Sequence, residues 1–111
     1  MLAALEELAR LTAPGDVLIL VDEGALGGTA VPGRRVLPFL EKDGQYWGAP
    51  PDDNTAVGEL ERLRGLGARF LAFVWSTFWW LEHYPGLAGH LRTHFRCVLD
   101  NERLVVFELR P

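Results

Sequence analysis

The apolar positions of the chain follow two periods, which together predict helices alternating with strands. Leucines recur every three residues from Leu2 to Leu11, which is typical of one face of a helix, and Pro14 with Gly15 should end it. The next run, Val17 to Val21, is apolar at every position. Such a run is typical of a strand covered on both faces, so we expect it near the centre of a sheet.

A second strand is expected in the segment RRVLPFL, residues 34–40, after a glycine-rich loop. Pro38 interrupts this segment, and a proline lacks the backbone N–H that a central strand donates to its neighbour. We therefore place this strand at an edge of the sheet. The stretch that follows is rich in turn residues, and Asp43 with Gly44 predicts a tight turn.

A second helix is expected to run to about Leu66. Its start should be capped by Asp53, Asn54 or Thr55, and its end should be closed by Gly65 or Gly67. The segment RFLAFVW, residues 69–75, follows at once and is apolar on both faces. It predicts the second central strand.

The last third predicts a short helix, a longer helix and two strands. Ser76 or Thr77 should cap the short helix, which Pro85 and Gly86 interrupt. The segment RCVLDNERLVVFEL, residues 96–109, predicts two strands around a turn at Asp100 and Asn101.

This order of elements predicts a single small Rossmann-like α/β domain over residues 1–111. Strands that alternate with helices are joined by right-handed crossovers into a largely parallel sheet. We expect a mostly parallel, twisted sheet with helices on both faces. In space the second strand should lie beside the first and the first beside the third, with a C-terminal antiparallel hairpin beyond the third.

Charge and composition exclude several classes of protein. The net charge is −4 without a basic run, which argues against nucleic acid as a partner. No apolar run approaches the roughly 20 residues of a membrane-spanning helix, so we expect no membrane insertion. The opening segment has no basic leader before an apolar block, which favours a cytoplasmic location. Cys97 is the single cysteine and is expected to be buried beside Val98.

A resemblance extends over most of the chain, from Pro32 to Leu91. Its most specific parts are the strand start at Gly67 to Leu71 and the block WWLEHYPG at residues 79–86, with a weaker part, the turn at residues 43–48. These parts resemble a poorly characterised α/β module that recurs in bacterial proteins assigned to glycosyl or methyl transfer in surface-polysaccharide clusters. The resemblance implies a fold and a biological setting and carries over no active-site residue.

The chain departs from the module at one place. Where relatives carry tryptophan, histidine, phenylalanine and proline in succession, this chain has Leu37 to Leu40 in the sequence LPFL. Any role of that histidine is therefore absent here.

One candidate ligand site follows the first strand. Asp22 and Glu23 lie at its carboxyl end, where open α/β sheets bind ligands, and paired acids suit ribose hydroxyls or a metal. The alternative interpretation is a solvated strand end. The loop after them lacks the G-x-G-x-x-G spacing of a dinucleotide site. This candidate site comprises Asp22, Glu23, Gly24, Gly27, Gly28 and Ser76.

The aromatic segment WSTFWWLEHYPG, residues 75–86, supplies a second candidate. Helical phase places Trp80 and Tyr84 on the buried side and Trp79 with His83 on the other, near Glu82. Exposed tryptophan beside polar groups is typical of an interface hot spot or a sugar-stacking platform. Tyr46 and Trp47 would extend this surface if their loop folds over the same edge.

Two functions remain open from the sequence. The first is a non-catalytic accessory or interaction module of polysaccharide-assembly proteins, binding a protein partner, a glycan or a second copy of the chain. The second is a small nucleotide- or sugar-nucleotide-binding domain, of which a degenerate transferase is one form. No catalytic residue or cofactor is assigned, because the sequence offers no convincing acid-base or nucleophile set. No metal is assigned, because His90 and His94 are expected to form an exposed pair with no acid beside them in the sequence.

Overall fold

The computed structural model describes residues 2–25 and 31–109, and the elements within them alternate as the sequence predicts. In chain order they are α1 (Leu2–Leu11), β1 (Val17–Val21), β2 (Arg35–Pro38), β3 (Glu41–Lys42), β4 (Gln45–Tyr46), α2 (Asp53–Gly65), β5 (Ala68–Val74), α3 (Trp80–His83), α4 (Pro85–His94), β6 (Arg96–Asp100) and β7 (Leu104–Glu108). A single 3₁₀ turn, Trp75–Thr77, joins β5 to α3.

Five of the strands form one sheet in the order β2-β1-β5-β7-β6. The predicted neighbours are confirmed, because β1 lies between β2 and β5 and the C-terminal hairpin lies beyond β5. Pro38 lies in β2 at the edge of this sheet, opposite Leu20 of β1, as expected from its missing N–H.

The prediction of a mostly parallel sheet is only partly right, since the sheet is mixed. β1 pairs in parallel with β2 and β5, whereas β7 pairs antiparallel with β5 and β6. The chain enters the hairpin at the far edge as β6 and returns as β7 beside β5. Four strands thus run in one direction, but the single reversed strand takes part in half of the four pairings.

Helices cover both faces of the sheet, as predicted. On one face α1 packs Ala4 and Leu8 against a cluster that includes Leu18 of β1. On the other face α2, α3 and α4 bury a larger cluster centred on Leu71 and Phe73 of β5. A sheet with apolar residues on both faces needs both layers, because either uncovered face would leave those side chains in water.

Two of the predicted helix caps are wrong. Asp52 caps α2 by accepting a hydrogen bond from the Thr55 N–H at 2.7 Å, one position before the predicted candidates. Thr77 is buried in the 3₁₀ turn, and no side-chain hydrogen bond caps α3. The expected closure of α2 is confirmed, since Gly67 has a φ of +99°.

Two short strands that the sequence pattern did not indicate surround the turn at residues 43–44. Asp43 and Gly44 have φ values of +53° and +80°, as a two-residue hairpin turn requires. The turn joins β3 to β4 in a separate antiparallel pair. Arg62 of α2 holds this hairpin by hydrogen bonds to the backbone oxygen and the carboxylate of Glu41, at 2.9 and 2.6 Å.

Cys97 is exposed, which corrects its expected burial. It lies in the edge strand β6, where the pairing with β7 shifts by one residue between Cys97 and Leu99. An edge strand with such a bulge turns alternate side chains toward solvent, so an apolar neighbour does not ensure burial. None of the described helices combines the length and the apolar character that crossing a bilayer requires.

Candidate functional site

The carboxyl ends of the parallel strands β1 and β5 are joined by one hydroxyl group. Thr77 Oγ1 lies 2.9 Å from the carbonyl oxygen of Val21 and 2.8 Å from that of Val74, so its proton is shared between two strand ends. Asp22 follows the first of these strands and the aromatic segment follows the second. Thr77 therefore links the two strand ends after which the segments of both candidate sites begin.

The aromatic segment has two faces that differ sharply in burial. Trp80 is 0% exposed and packs between Phe39 and Tyr84, at ring-centroid distances of 6.0 and 5.3 Å. Trp79 is 43% exposed, and Glu82 and His83 are exposed with it. The structure thus agrees with the helical phase expected from the sequence. We call Trp79, Glu82 and His83 the Trp79 surface.

Ring contacts and one buried hydrogen bond hold the Trp79 surface in place. The Trp79 ring meets Trp80 at 5.7 Å and the edge of His83 at 5.5 Å. Behind it, the Tyr84 hydroxyl donates a 2.6 Å hydrogen bond to the Pro50 carbonyl. The exposed indole of Trp79 therefore packs against other aromatic side chains and does not lie on a poorly packed loop.

Trp75 is a second exposed indole that the sequence pattern assigned to a buried strand. β5 ends at Val74, and Trp75 opens the 3₁₀ turn with 44% of its surface exposed. The alternation of buried faces ends where the strand ends. The apolar run in the sequence continues through Trp75 and so did not show that the strand ends before it. Trp75 lies in the same connecting segment as Trp79.

The side chains of Tyr46 and Trp47 lie against different parts of the structure. Tyr46 is partly buried against the loop after β1, where a Cβ added to Gly24 would lie only 2.9 Å from the Tyr46 ring. Trp47 is 64% exposed, beside α2, with the Lys42 ammonium 4.3 Å from its ring centroid. The rings that Trp79 contacts belong to Trp80, His83 and Tyr84, so these described contacts do not join Trp47 to the Trp79 surface.

Of the residues of the candidate ligand site that follows β1, the structure brings only some together around Asp22. The Asp22 carboxylate is buried, and its Oδ1 accepts a 2.9 Å hydrogen bond from the Gly24 N–H. Both residues line a cavity at the ends of β1 and β2. Glu23 is exposed with a φ of +56°, and Ser76 is exposed and does not line that cavity. Gly27 and Gly28 lie outside the described residues.

One of the two helical histidines, His90, has an acidic neighbour from another element. His90 Nε2 lies 3.2 Å from Glu61 Oε2 of α2, and Glu61 also accepts a 2.6 Å hydrogen bond from Arg64. His90 is therefore half-buried, whereas His94 is exposed, and the expected exposed pair is only half right. Within residues 2–25 and 31–109, no three His, Cys, Asp or Glu side chains are arranged to hold a metal ion.

Comparisons with protein-family models, with curated proteins and with solved structures found no match to this chain.

Proposed function

We propose that this domain is a non-catalytic interaction module of bacterial polysaccharide-assembly or glycosyl-transfer proteins, and that it binds its partner through the Trp79 surface. The observation that carries the proposal is the 43% exposure of Trp79 directly beside the fully buried Trp80. An exposed indole ring lacks the favourable free energy that burial of apolar surface provides. A partner surface that covers the ring provides this free energy on binding.

The support of the ring favours binding. Trp79 is held by its contacts with Trp80 and His83, so little side-chain freedom remains to be lost when a partner docks. His83 is exposed beside the indole and supplies a hydrogen-bonding group at the rim, and the preceding residue, Glu82, is also exposed. An aromatic centre with a polar rim is the usual anatomy of a protein interface.

The second candidate function, sugar-nucleotide binding, uses other residues. It is favoured by one observation, the cavity that Asp22 and Gly24 line at the carboxyl ends of β1 and β2. That edge of an α/β sheet is where ligands commonly bind.

Affinity capture with matched variants tests the first proposal. Wild-type domain, Trp79→Ala and Leu66→Ala are immobilised and exposed to a lysate of the cells that express the chain, and retained proteins are identified by mass spectrometry. Leu66 is the control because it is 51% exposed at the end of α2, away from the aromatic segment. We expect a transferase of polysaccharide assembly to be retained by wild type and Leu66→Ala and lost with Trp79→Ala. Equal retention by all three would refute the role of Trp79.

A further inference from the structure

A cavity of about 230 Å³ lies at the carboxyl ends of β1 and β2, where the β3–β4 hairpin closes one side of it. Sites for drug-sized ligands are commonly about 300–1,000 Å³, so this cavity suits a smaller molecule. Apolar side chains of both strands line it, together with polar residues of the loop and the hairpin: Leu20, Val36, Leu37, Pro38, Asp22 and Gln45.

The most buried polar group of the lining is the Asp22 carboxylate. The residue is 6% exposed, and its Oδ1 receives the Gly24 N–H, which holds the carboxylate in one orientation. A carboxylate has about four lone-pair positions, so it can accept hydrogen bonds from a ligand as well as from the chain.

Tyr46 forms a wall of the cavity and packs against the loop that follows β1. Its ring lies so close to the backbone of Gly24 that a Cβ there would approach Tyr46 Cδ2 to 2.9 Å. Gly24 also has a φ of +79°, which residues with a side chain rarely adopt. Burial, and then the nearby Glu23, raise the pKa of Tyr46 further above neutral pH.

The charge of the lining excludes anions. Among the described residues that line the cavity none is basic, whereas Asp22 lies inside it and Glu23 follows Asp22 in the chain. A phosphate or carboxylate would meet negative charge without a cation to pair with it. The cavity itself is also smaller than a typical site for a drug-sized ligand.

We propose that this cavity binds one neutral, hydroxyl-bearing molecule of monosaccharide size, with its hydroxyls on Asp22 and Gln45 and its C–H face against Val36, Pro38 and Tyr46. The proposal refines the second candidate function by assigning the cavity to the sugar and not to the phosphates. It rests on none of the residues of the Trp79 surface.

Amide chemical-shift titration of the whole chain tests this proposal. The neutral probes are D-glucose, D-galactose, N-acetyl-D-glucosamine and D-ribose, the cationic probe is D-glucosamine, and the anionic probes are inorganic phosphate and uridine monophosphate. We expect at least one neutral sugar at millimolar concentration to shift the amides of Gly24, Gln45 and Tyr46 saturably. Shifts from none of the neutral sugars, or from the amine or the phosphates alone, would overturn the proposal.

Three variants separate this site from the Trp79 surface. Asp22→Asn keeps the oxygen that accepts the Gly24 N–H and should weaken sugar binding about ten-fold, as expected for one charge-assisted hydrogen bond. Gln45→Ala should also weaken sugar binding. Because Gln45 is an exposed hairpin residue, this variant tests the proposed contacts even if Asp22→Asn fails to fold. Trp79→Ala should titrate like wild type. Unchanged affinity in a folded Asp22→Asn variant, or in Gln45→Ala, would refute the assigned contacts.

Discussion

Asp53, the first residue of α2, accepts a 3.1 Å hydrogen bond on its Oδ1 from the backbone N–H of Gly86 at the start of α4. The same oxygen accepts the Leu87 N–H at 3.2 Å. The first turn of a helix has no internal partners for these donors, so a side chain of one helix caps another. The sequence predicts Asp53 as a cap of its own helix, but Asp52 takes that role.

Gly86→Ala should destabilise the domain because of this contact. An added Cβ would lie 2.8 Å from Asp53 Cβ and Cγ, which displaces the carboxylate from both N–H groups. We expect a loss of about 1–3 kcal/mol in the free energy of unfolding, measured by chemical denaturation. Gly89→Ala in the same helix is the control, since its Cβ would meet nothing within 4 Å. It should stabilise by about 0.5–1 kcal/mol, and equal effects at the two glycines would contradict the capping argument.

Trp80→Ala and Trp79→Ala should separate stability from binding at adjacent residues. Trp80 is wholly buried, so its truncation should cost about 3–5 kcal/mol. Trp79→Ala loses only ring contacts and should cost about 0.5–1.5 kcal/mol. Thermal and urea melts measure both losses. Equal losses would show that both rings belong to the core.

Trp80→Phe adds a finer test of the same position. Trp80 Nε1 is buried without a hydrogen-bond partner among the described residues. Phenylalanine keeps an aromatic ring and removes this unsatisfied donor, so the variant should cost much less than Trp80→Ala in the same melts. A loss as large as that of Trp80→Ala would mean that the indole shape, and not ring burial in general, dominates.

Thr77→Val should cost about 1–3 kcal/mol although the two side chains have nearly the same shape. The substitution leaves the carbonyls of Val21 and Val74 without the hydroxyl that now links them. Urea unfolding of the variant measures the loss. Ser76→Ala is the neighbouring control, and because Ser76 is exposed it should change stability by less than about 0.5 kcal/mol. A neutral Thr77→Val would show that these bonds contribute little.

Stability should fall with acid partly through Glu7. The hydrogen bond from Arg103, opposed by burial and helped by Asn101, holds the pKa of Glu7 below its usual value. Its contribution is therefore complete above the unfolded-state pKa, about 4.3, and is lost as pH falls through the lower folded-state pKa. Denaturation from pH 7 downward should show a smaller acid-dependent loss for Glu7→Gln than for wild type. Glu102 contacts the same arginine from an exposed position, so Glu102→Gln should follow wild type.

Local sequence determined the four helices of the described residues, the five strands of the main sheet and which face of several of them is buried. The unbroken apolar runs of β1 and β5 required cover on both sides, and Pro38 required an edge, because these constraints act within one strand. Helical phase likewise separated Trp79 from Trp80, because the direction of a side chain follows from its position along the helix.

Tertiary structure decided what depends on residues far apart in the chain. Asp53 meets Gly86 across 33 positions, and Thr77 reaches Val21 across 56, and no local pattern encodes such contacts. The same holds for the cavity, since its walls come from β1, β2 and the β3–β4 hairpin. Helices and strands arise from periodicity within a segment. Caps that come from another helix, cavities and the order of the two hairpin strands in a sheet arise from how segments pack, which requires the whole fold.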